Sequence, residues 1–320
     1  MEQQILLSEI ATDTLNGLSS YPKFLLSKYF YDDTGSAIFQ DIMNMPEYYL
    51  TNCEHEIFSE QKDALLNVCV NGNNRFNLVE LGSGDGLKTK ILLKHFTDNN
   101  VDFQYIPIDI SQKANDDLVE SLAKEIPELN VSAKTGDYFQ QLKNLNTSAK
   151  ERKIIFFLGS NIGNFTNEET RLFLAQLSEF TNKGDKVLIG FDLKKSPETI
   201  IKAYNDPHRH TRNFIFNHLV RLNRELDTDF DLGKFEHHVE YNEETGEVKS
   251  FLISKADQEV FIGALDQTIQ FKNEEPVFME LSRKYDFNSI ESLAMENGFR
   301  IEKNFTDSRN YFVDSLWKRI

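Results

Sequence analysis

Residues 76–96 constrain the fold most, because they place an apolar strand, a glycine-rich turn and a helix in succession. Phe76–Leu81 has the length and composition of a buried strand, and a helix is predicted over Lys88–Phe96. Between them, glycine recurs at every second position of Gly82–Gly86. Glycines at such a turn let the main chain approach a ligand and direct the N–H groups of the helix start towards it. The segment therefore predicts a ligand site at the carboxyl end of a parallel sheet.

The alternation of strands and helices continues through the middle of the chain. Strands are predicted over 103–110, near Val131, over 154–160 and over 186–193. Ser111 and Thr166 stand where the side chain of an N-cap residue would begin the intervening helices. The repeated order predicts an α/β fold built on a parallel sheet.

The pattern changes after residue 193. Residues 194–234 favour helix, and residues 235–272 favour antiparallel strands with a turn at Glu244-Thr245-Gly246. A helix over SIESLAMENG and strands over Phe299–Phe305 and Tyr311–Trp317 follow. The change indicates that a second structural unit interrupts the α/β unit.

We therefore predict two lobes. Residues 53–193 and 284–320 form the lobe with the parallel sheet, and residues 1–52 and 194–283 form a second, α+β lobe. We expect the ligand site at the carboxyl ends of the strands, between the lobes.

Composition and charge exclude several classes of function. Hydrophobic residues make up 40% of the chain, which is enough for a sizeable core. The formal charge of −16 repels phosphate backbones, so no nucleic-acid partner is expected. No apolar run approaches the roughly 20 residues of a membrane helix, and the N-terminal MEQQILLSEIATDT lacks the features of a signal peptide. Two isolated cysteines, Cys53 and Cys69, fit free thiols, so we expect a cytoplasmic protein.

Acidic side chains stand at three successive predicted strand ends. Glu80 precedes the glycine turn, Asp109 follows at the next strand, and Asp137 with Tyr138 follows at the third. Asp109 is placed to accept hydrogen bonds from ribose hydroxyls, and Asp137 and Tyr138 are placed for an adenine ring. A dinucleotide site requires G-x-G-x-x-G, whereas this turn has G-x-G-x-G, so S-adenosylmethionine is favoured over NAD.

The histidines do not form a recognisable metal motif. His208 and His210, and the adjacent pair His237 and His238, lack a matched third ligand and any accompanying cysteine cluster. The acidic run 227–231 lacks the spacing of an EF-hand loop. We therefore expect no metal site.

A set of unusual segments carries a resemblance to a known family. In order along the chain they are YPKFLLSKYFYDDTGSAIF, MPEYYLT, VELGSGDGLKTKILL, GSNIGN, KAYND, NRELDTDFDL, FEH, ALD and MELSRKY. With them the chain resembles, nearly end to end, the histidine-specific N-alpha-methyltransferases of ergothioneine biosynthesis. The resemblance implies a class I (Rossmann-like) methyltransferase sheet with a second α+β substrate domain. It also implies S-adenosylmethionine as cofactor and three successive methyl transfers to the α-amino group of L-histidine.

The same resemblance implies roles for individual residues. Cofactor binding falls on Gly82, Lys88, Asp109, Asp137 and Tyr138. The backbone groups of the amino acid fall on Tyr48, Asn164 and Tyr204, its amine lies near Tyr31 and Phe39, and its imidazole nitrogens fall on Glu280 and Ser282. Tyr31 or an ordered water is the candidate acceptor for the proton of the amine.

Two positions depart from the family pattern and keep alternatives open. Asn161 replaces the Thr of G-S-T-I-G-N, and Ser250 stands where a Met is expected beside the imidazole pocket. One alternative is the same chemistry on tryptophan or another amino acid. A second, from another class, is a non-catalytic nucleoside-binding regulator. We expect a monomer whose partner is a small amino-acid substrate.

Overall fold

The structure is a computed structural model that describes residues 8–70, 75–148 and 151–320. The prediction about a signal peptide concerns, in part, residues 1–7, which lie outside the described residues.

The strands are numbered in chain order. They are β1 Lys23–Phe24, β2 Phe76–Leu81, β3 Phe103–Asp109, β4 Lys134–Thr135, β5 Arg152–Phe157, β6 Lys186–Asp192, β7 Phe235–Asn242, β8 Glu247–Ser254, β9 Gln258–Ile262, β10 Gln267–Phe271, β11 Pro276–Arg283, β12 Phe299–Thr306 and β13 Phe312–Arg319.

The α-helices are numbered in the same way. They are α1 Glu9–Ser19, α2 Asp33–Asn44, α3 Tyr49–Glu60, α4 Lys62–Cys69, α5 Thr89–Asp98, α6 Gln112–Glu125, α7 Tyr138–Ser148, α8 Asn167–Glu179, α9 Pro197–Tyr204, α10 His210–Glu225 and α11 Phe287–Glu296. Short 3₁₀ segments lie at Ser27–Phe30, Asn161–Asn164, Leu232–Lys234 and Gly263–Leu265. Within the described ranges, no helix combines the length and the apolar character that crossing a bilayer requires.

One compact unit comprises residues 50–194 and 283–320 and contains a seven-stranded sheet in the order β12-β13-β6-β5-β2-β3-β4. The five adjacent strands β6, β5, β2, β3 and β4 pair in parallel, and β13 pairs antiparallel with β6 at the next position of the sheet. Every residue of β2 and of β6 is buried, which is the pattern of central strands covered on both faces. The predicted α/β fold with a parallel sheet is confirmed.

The predicted helix starts in this unit are also confirmed. The Ser111 hydroxyl accepts a hydrogen bond from the Ala114 N–H at 3.2 Å. Thr166 and Glu169 form a reciprocal capping box at the start of α8. Helix α11 begins at Phe287, two residues before the predicted SIESLAMENG segment, because Asp286 caps it through the Ser289 N–H.

The other unit comprises residues 1–49 and 195–282. It contains a four-stranded sheet in the order β1-β11-β8-β7 and a separate β9-β10 hairpin. Strands β7 and β8 pair antiparallel across the predicted turn at residues 244–246, where Gly246 has a φ of 74°. The core of this unit includes apolar side chains of α10, β8, β10 and β11.

Two details of the sequence analysis need correction. Strand β11 was not predicted, although Val277, Met279 and Leu281 alternate along it and are buried. The strand expected near Val131 is reduced to an isolated bridge between Val131 and Tyr105, and the paired residues lie in β4 instead. The assignment of cofactor and substrate binding to the two units remains a prediction.

His218 on α10 gives a prediction about stability. Its side chain is 0% exposed, and neither ring nitrogen has a hydrogen-bond partner among the described residues. Burial, with a smaller contribution from Arg221, lowers the pKa of His218 to about 3, so the ring is neutral. It packs against the rings of Tyr29 and Phe30 at 6.0 and 5.5 Å between centroids.

We expect His218→Phe to raise the free energy of unfolding by about 1–3 kcal/mol, because it removes two unsatisfied buried polar atoms and keeps an aromatic ring. Urea denaturation at neutral pH measures the change. The matched control is His208→Phe at an exposed position, where no gain is expected. A loss of stability in His218→Phe would show that the nitrogens are satisfied in solution.

Candidate active site

The turn after β2 has the backbone that its glycines allow. Gly82, Gly84 and Gly86 have φ angles of 73°, 52° and 65°, all in the left-handed region. A Cβ atom on Gly82 would lie 2.7 Å from the hydroxyl oxygen of Tyr138, so this position also requires glycine for space. A Cβ atom on Gly84 would meet nothing within 4 Å. The backbone at Gly84 therefore borders open space, as a ligand-binding turn requires.

The end of β3 lies against this turn. One carboxylate oxygen of Asp109 accepts a hydrogen bond from the Ser111 N–H at 2.9 Å, and the other lies 3.4 Å from the Gly84 nitrogen. The Asp109 carbonyl accepts a hydrogen bond from the Gly136 N–H at 3.0 Å. The second predicted strand end is thus joined to both the glycine turn and the end of β4.

Tyr138 completes this group. Burial raises the pKa of Tyr138 to about 12, and the charges of Asp109 and Asp137 add to the shift. Asp137 also accepts hydrogen bonds from the N–H groups of Phe139 and Gln140 at 3.0 and 2.9 Å, which caps α7. The structure therefore brings Gly82, Asp109, Asp137 and Tyr138 together.

Lys88 lies nearby but has a buried partner. Its ammonium group forms an ion pair with Glu54 of α3, whose side chain is 0% exposed. Burial lowers the pKa of Lys88, but the charge of Glu54 and the hydrogen bond to it outweigh this and leave the pKa raised. Sequence reasoning missed Glu54, because no motif or spacing distinguishes it from other helical acids.

Glu80 has a structural role at the same edge. Its carboxylate is 4% exposed and accepts hydrogen bonds from the Thr89 hydroxyl at 2.6 Å and the Tyr105 hydroxyl at 2.5 Å. Burial raises the pKa of Glu80 to about 7, although both hydrogen bonds oppose the shift. Glu80 thus ties β2 to β3 and to the start of α5.

A second group of predicted residues lies in the unit with the four-stranded sheet. The hydroxyl groups of Tyr204 and Ser282 are 2.7 Å apart and both side chains are buried. Glu280 stands two residues before Ser282 on β11, so the two side chains leave the strand on the same face. Tyr31 is 48% exposed, but desolvation around its hydroxyl raises its pKa, and the charges of Glu280 and Tyr204 add to the shift. These four residues form one polar cluster.

Aromatic rings adjoin this cluster. The ring centroid of Phe39 lies 5.5 Å from that of Tyr31 and 6.3 Å from that of Tyr48. Phe214 of α10 packs against Tyr31 and Phe39 at 5.2 and 5.6 Å. The structure therefore brings together the predicted residues Tyr31, Phe39 and Tyr48. Sequence reasoning missed Phe214, which carries no motif signal within its helix.

The GSNIGN segment forms the turn after β5, in the unit with the seven-stranded sheet. Ser160 adopts a left-handed φ of 60°, and its hydroxyl oxygen accepts a hydrogen bond from the Asp192 N–H at 3.0 Å. Asn161 donates to the Leu158 carbonyl at 3.0 Å, and Asn164 is exposed at the end of the 3₁₀ segment. A Cβ atom on Gly163 would lie 2.8 Å from the Arg283 carbonyl oxygen, so this turn packs closely against the start of the RKY segment.

Ser250 and the histidines are the remaining positions singled out from the sequence. Ser250 is 2% exposed on β8, opposite Val239 of β7. In the part of the chain that the structure describes, no three His, Cys, Asp or Glu side chains are grouped as metal ligands. Burial lowers the pKa of His237 to about 4.

Comparison with known proteins places these features in context. A family model described as histidine-specific methyltransferase, SAM-dependent, matches residues 10–319. The histidine N-alpha-methyltransferase of Mycobacterium tuberculosis (strain CDC 1551 / Oshkosh) is 32% identical over 304 residues, covering 95% of this chain and 93% of that protein. The enzyme of the same name from Mycolicibacterium smegmatis is 33% identical with the same coverage. An L-tryptophan methyltransferase of Psilocybe serbica is 24% identical, covering 92% of this chain and 88% of that protein.

The position of Asp109 predicts its effect on cofactor affinity. We expect Asp109→Asn to weaken binding of S-adenosylhomocysteine by roughly 1–2 kcal/mol, because the ribose hydroxyls lose a charged acceptor and retain a neutral one. Isothermal titration calorimetry measures the change. The control is Asp116→Asn on the exposed surface of α6, with no expected effect. Equal affinities of Asp109→Asn and wild type for S-adenosylhomocysteine would show that the Asp109 charge does not contribute to cofactor binding.

Proposed function

We propose that this chain, which belongs to the family of histidine-specific, S-adenosylmethionine-dependent methyltransferases, methylates the α-amino group of free L-histidine three times to give its betaine. That the chain is an S-adenosylmethionine-dependent methyltransferase follows from its family. The observation that supports histidine as the substrate is the cluster of Glu280, Ser282, Tyr204 and Tyr31, because it offers polar groups suited to an imidazole.

The residues at the strand ends fit the cofactor. Open space borders the Gly84 backbone, and the Asp109 carboxylate lies beside it at the end of β3. We propose that Asp109 accepts hydrogen bonds from the ribose hydroxyls, and that Asp137 and Tyr138 hold the adenine. When bound, the cofactor supplies a methyl group on a sulfonium sulfur. The chain's own task is then to align a nucleophile with that methyl group and to keep water away from it.

The nucleophile must be a neutral amine, so the α-ammonium group loses a proton before attack. The raised pKa of Tyr31 disfavours its phenolate form at neutral pH, which argues against Tyr31 as the base and in favour of water. We propose that the Tyr31 hydroxyl aligns the amine within the aromatic wall of Phe39 and Phe214, and that the proton leaves through an ordered water. Tyr48, Tyr204 and Asn164 are assigned to the backbone groups of the amino acid.

Side-chain recognition is assigned to β11. The Glu280 carboxylate accepts a hydrogen bond from one imidazole N–H, and the Ser282 hydroxyl meets the other nitrogen. Tyr204 holds the Ser282 hydroxyl in place through their 2.7 Å contact. A half-buried carboxylate favours imidazole over phenyl because it needs a hydrogen-bond donor, which phenyl lacks. Indole also has an N–H donor, but it has no second ring nitrogen for the Ser282 hydroxyl to meet.

A related amino acid is the second candidate, and the buried Ser250 supports keeping it. A small polar residue replaces the Met expected beside the imidazole pocket, and a tryptophan methyltransferase is among the chain's relatives. We also propose that the protein is a cytoplasmic monomer and needs no partner protein.

The proposed function is tested by mass spectrometry of products formed from each of the twenty amino acids with S-adenosylmethionine. We expect mono-, di- and trimethylated products to appear in succession with histidine. Methylation of tryptophan with no product from histidine would replace the first candidate by the second. No product from any amino acid would contradict the proposal.

Glu280 offers a prediction about selectivity. Glu280→Gln keeps the shape of the side chain but removes its charge, and a charge-assisted hydrogen bond exceeds a neutral one by about 1 kcal/mol or more. We expect the ratio of kcat/KM for histidine to that for phenylalanine to fall about tenfold. Glu259→Gln, at an exposed position of β9, is the control and leaves the ratio unchanged. An unchanged ratio in Glu280→Gln would show that Glu280 does not read the side chain.

A further inference from the structure

Two carboxyl groups are buried together beside the proposed cofactor site. Glu54 on α3 and Asp314 on β13 are both 0% exposed. Neither oxygen of Asp314 receives a hydrogen bond from a donor in the described residues. The Glu54 carboxylate lies against Gly190, which pairs with Asp314 between β6 and β13, so the two carboxyl groups are neighbours. As carboxylates both groups could only accept, whereas a protonated Asp314 donates a hydrogen bond to Glu54. Glu54 and Asp314 can therefore form a hydrogen bond with each other only when one of the two carboxyl groups retains its proton.

The charges of the cluster balance in that state. Lys88 contributes one positive charge and Glu54 one negative charge. Burial raises the pKa of Asp314 well above its ordinary value, and the charge of Glu54 raises it further, against a smaller opposing effect of Lys88. A protonated Asp314 leaves the cluster neutral, which is the least costly arrangement for groups withdrawn from water.

Glu54 connects two of the turns at the strand ends. One of its oxygens accepts a hydrogen bond from the Gly159 N–H at 2.7 Å, in the turn after β5, and the other pairs with Lys88, at the end of the glycine-rich turn. A Cβ atom on Gly190 of β6 would lie 2.8 Å from the first oxygen. The carboxylate thus occupies the space above the central strand that a larger residue at 190 would fill.

We propose that Glu54 is a positioning residue for the cofactor: its carboxylate orients the Lys88 ammonium group towards the α-carboxylate of S-adenosylmethionine, while Asp314 retains the proton that keeps the cluster neutral. The inference rests on the proposed function and on the cofactor-binding role that the family resemblance predicts for Lys88. An ammonium group has three N–H donors, and within the described residues Lys88 donates a hydrogen bond to Glu54, which leaves donors for a ligand carboxylate.

The proton on Asp314 determines how the cluster responds to pH. Loss of that proton at alkaline pH adds a negative charge beside Lys88 and weakens its attraction for a carboxylate. Glu80 also acts on Lys88 through its charge, and its pKa of about 7 places its own titration near neutrality. A comparison of wild type with Asp314→Asn isolates the contribution of Asp314, because Glu80 is common to both.

The experiment compares two ligands by calorimetry on the full chain. S-adenosylhomocysteine carries the α-carboxylate, and 5′-methylthioadenosine has the nucleoside and thioether but lacks the amino-acid half. We expect Glu54→Gln to weaken S-adenosylhomocysteine about tenfold and to leave methylthioadenosine unchanged. The double variant Glu54→Gln/Lys88→Met should bind no more weakly than Lys88→Met alone, because both changes remove the same interaction.

Asp314→Asn keeps a neutral, hydrogen-bond-donating side chain. We expect wild type to bind S-adenosylhomocysteine more weakly at alkaline pH and Asp314→Asn to lose this dependence, and this comparison also tests the proposal should Glu54→Gln not fold. The matched control is Asp185→Asn, which breaks another buried ion pair, with Lys153, at the amino ends of β5 and β6. It should lower the unfolding temperature without a selective loss of either ligand.

Equal weakening of both ligands by Glu54→Gln, additive effects in the double variant, or an unchanged alkaline limb in Asp314→Asn would overturn the inference. In each of these cases wild type still binds both ligands, so the proposed function stands. Failure of wild type to bind either ligand would instead contradict the proposed function and the inference together.

Discussion

The parallel pairing of β2 with β3 on one side and β5 on the other is the constraint on which the proposed cofactor site depends. In that arrangement all three strands end at one edge of the sheet, so the turns that follow them are neighbours. The glycine turn follows β2, Asp109 closes β3, and Gly159 follows β5. A hydrogen bond from the Gly82 N–H to the Ile108 carbonyl at 2.8 Å extends the β2–β3 pairing into the turn itself.

At this edge of the sheet, buried charged side chains are paired with side chains of opposite charge. Lys284 and Asp192 are both 0% exposed and lie 2.7 Å apart, next to the turn that carries Ser160. Breaking such a pair leaves an uncompensated buried charge, which costs about 3–5 kcal/mol. The Lys284–Asp192 pair therefore favours the arrangement of the Ser160 turn in which both charges stay paired.

Local pattern was sufficient for much of the fold, because strand length, glycine spacing and capping side chains act over a few residues. It placed β2, β3, β5 and β6, and the caps at Ser111 and Thr166. Strand β11 was not predicted from the sequence because Glu280 and Ser282 interrupt its apolar pattern. These are the two residues proposed to bind the side chain of the substrate. Glu54 and Asp314 could not be found either, since their partners lie far away in the chain and no short segment records the contact. The resemblance supplied Tyr31, whereas the desolvation of its hydroxyl and the neighbouring charge of Glu280, which raise its pKa, are features of the folded chain only.

Binding of the cofactor at the ends of β2 and β3 is the central claim, and a crystal structure of the chain with S-adenosylhomocysteine tests it without reference to activity. We predict the ribose hydroxyls within hydrogen-bonding distance of the Asp109 carboxylate, with the ligand beside the Gly84 backbone and the ligand carboxylate at Lys88. A ligand bound away from the ends of β2 and β3, or in contact with neither Asp109 nor Gly84, would contradict the account.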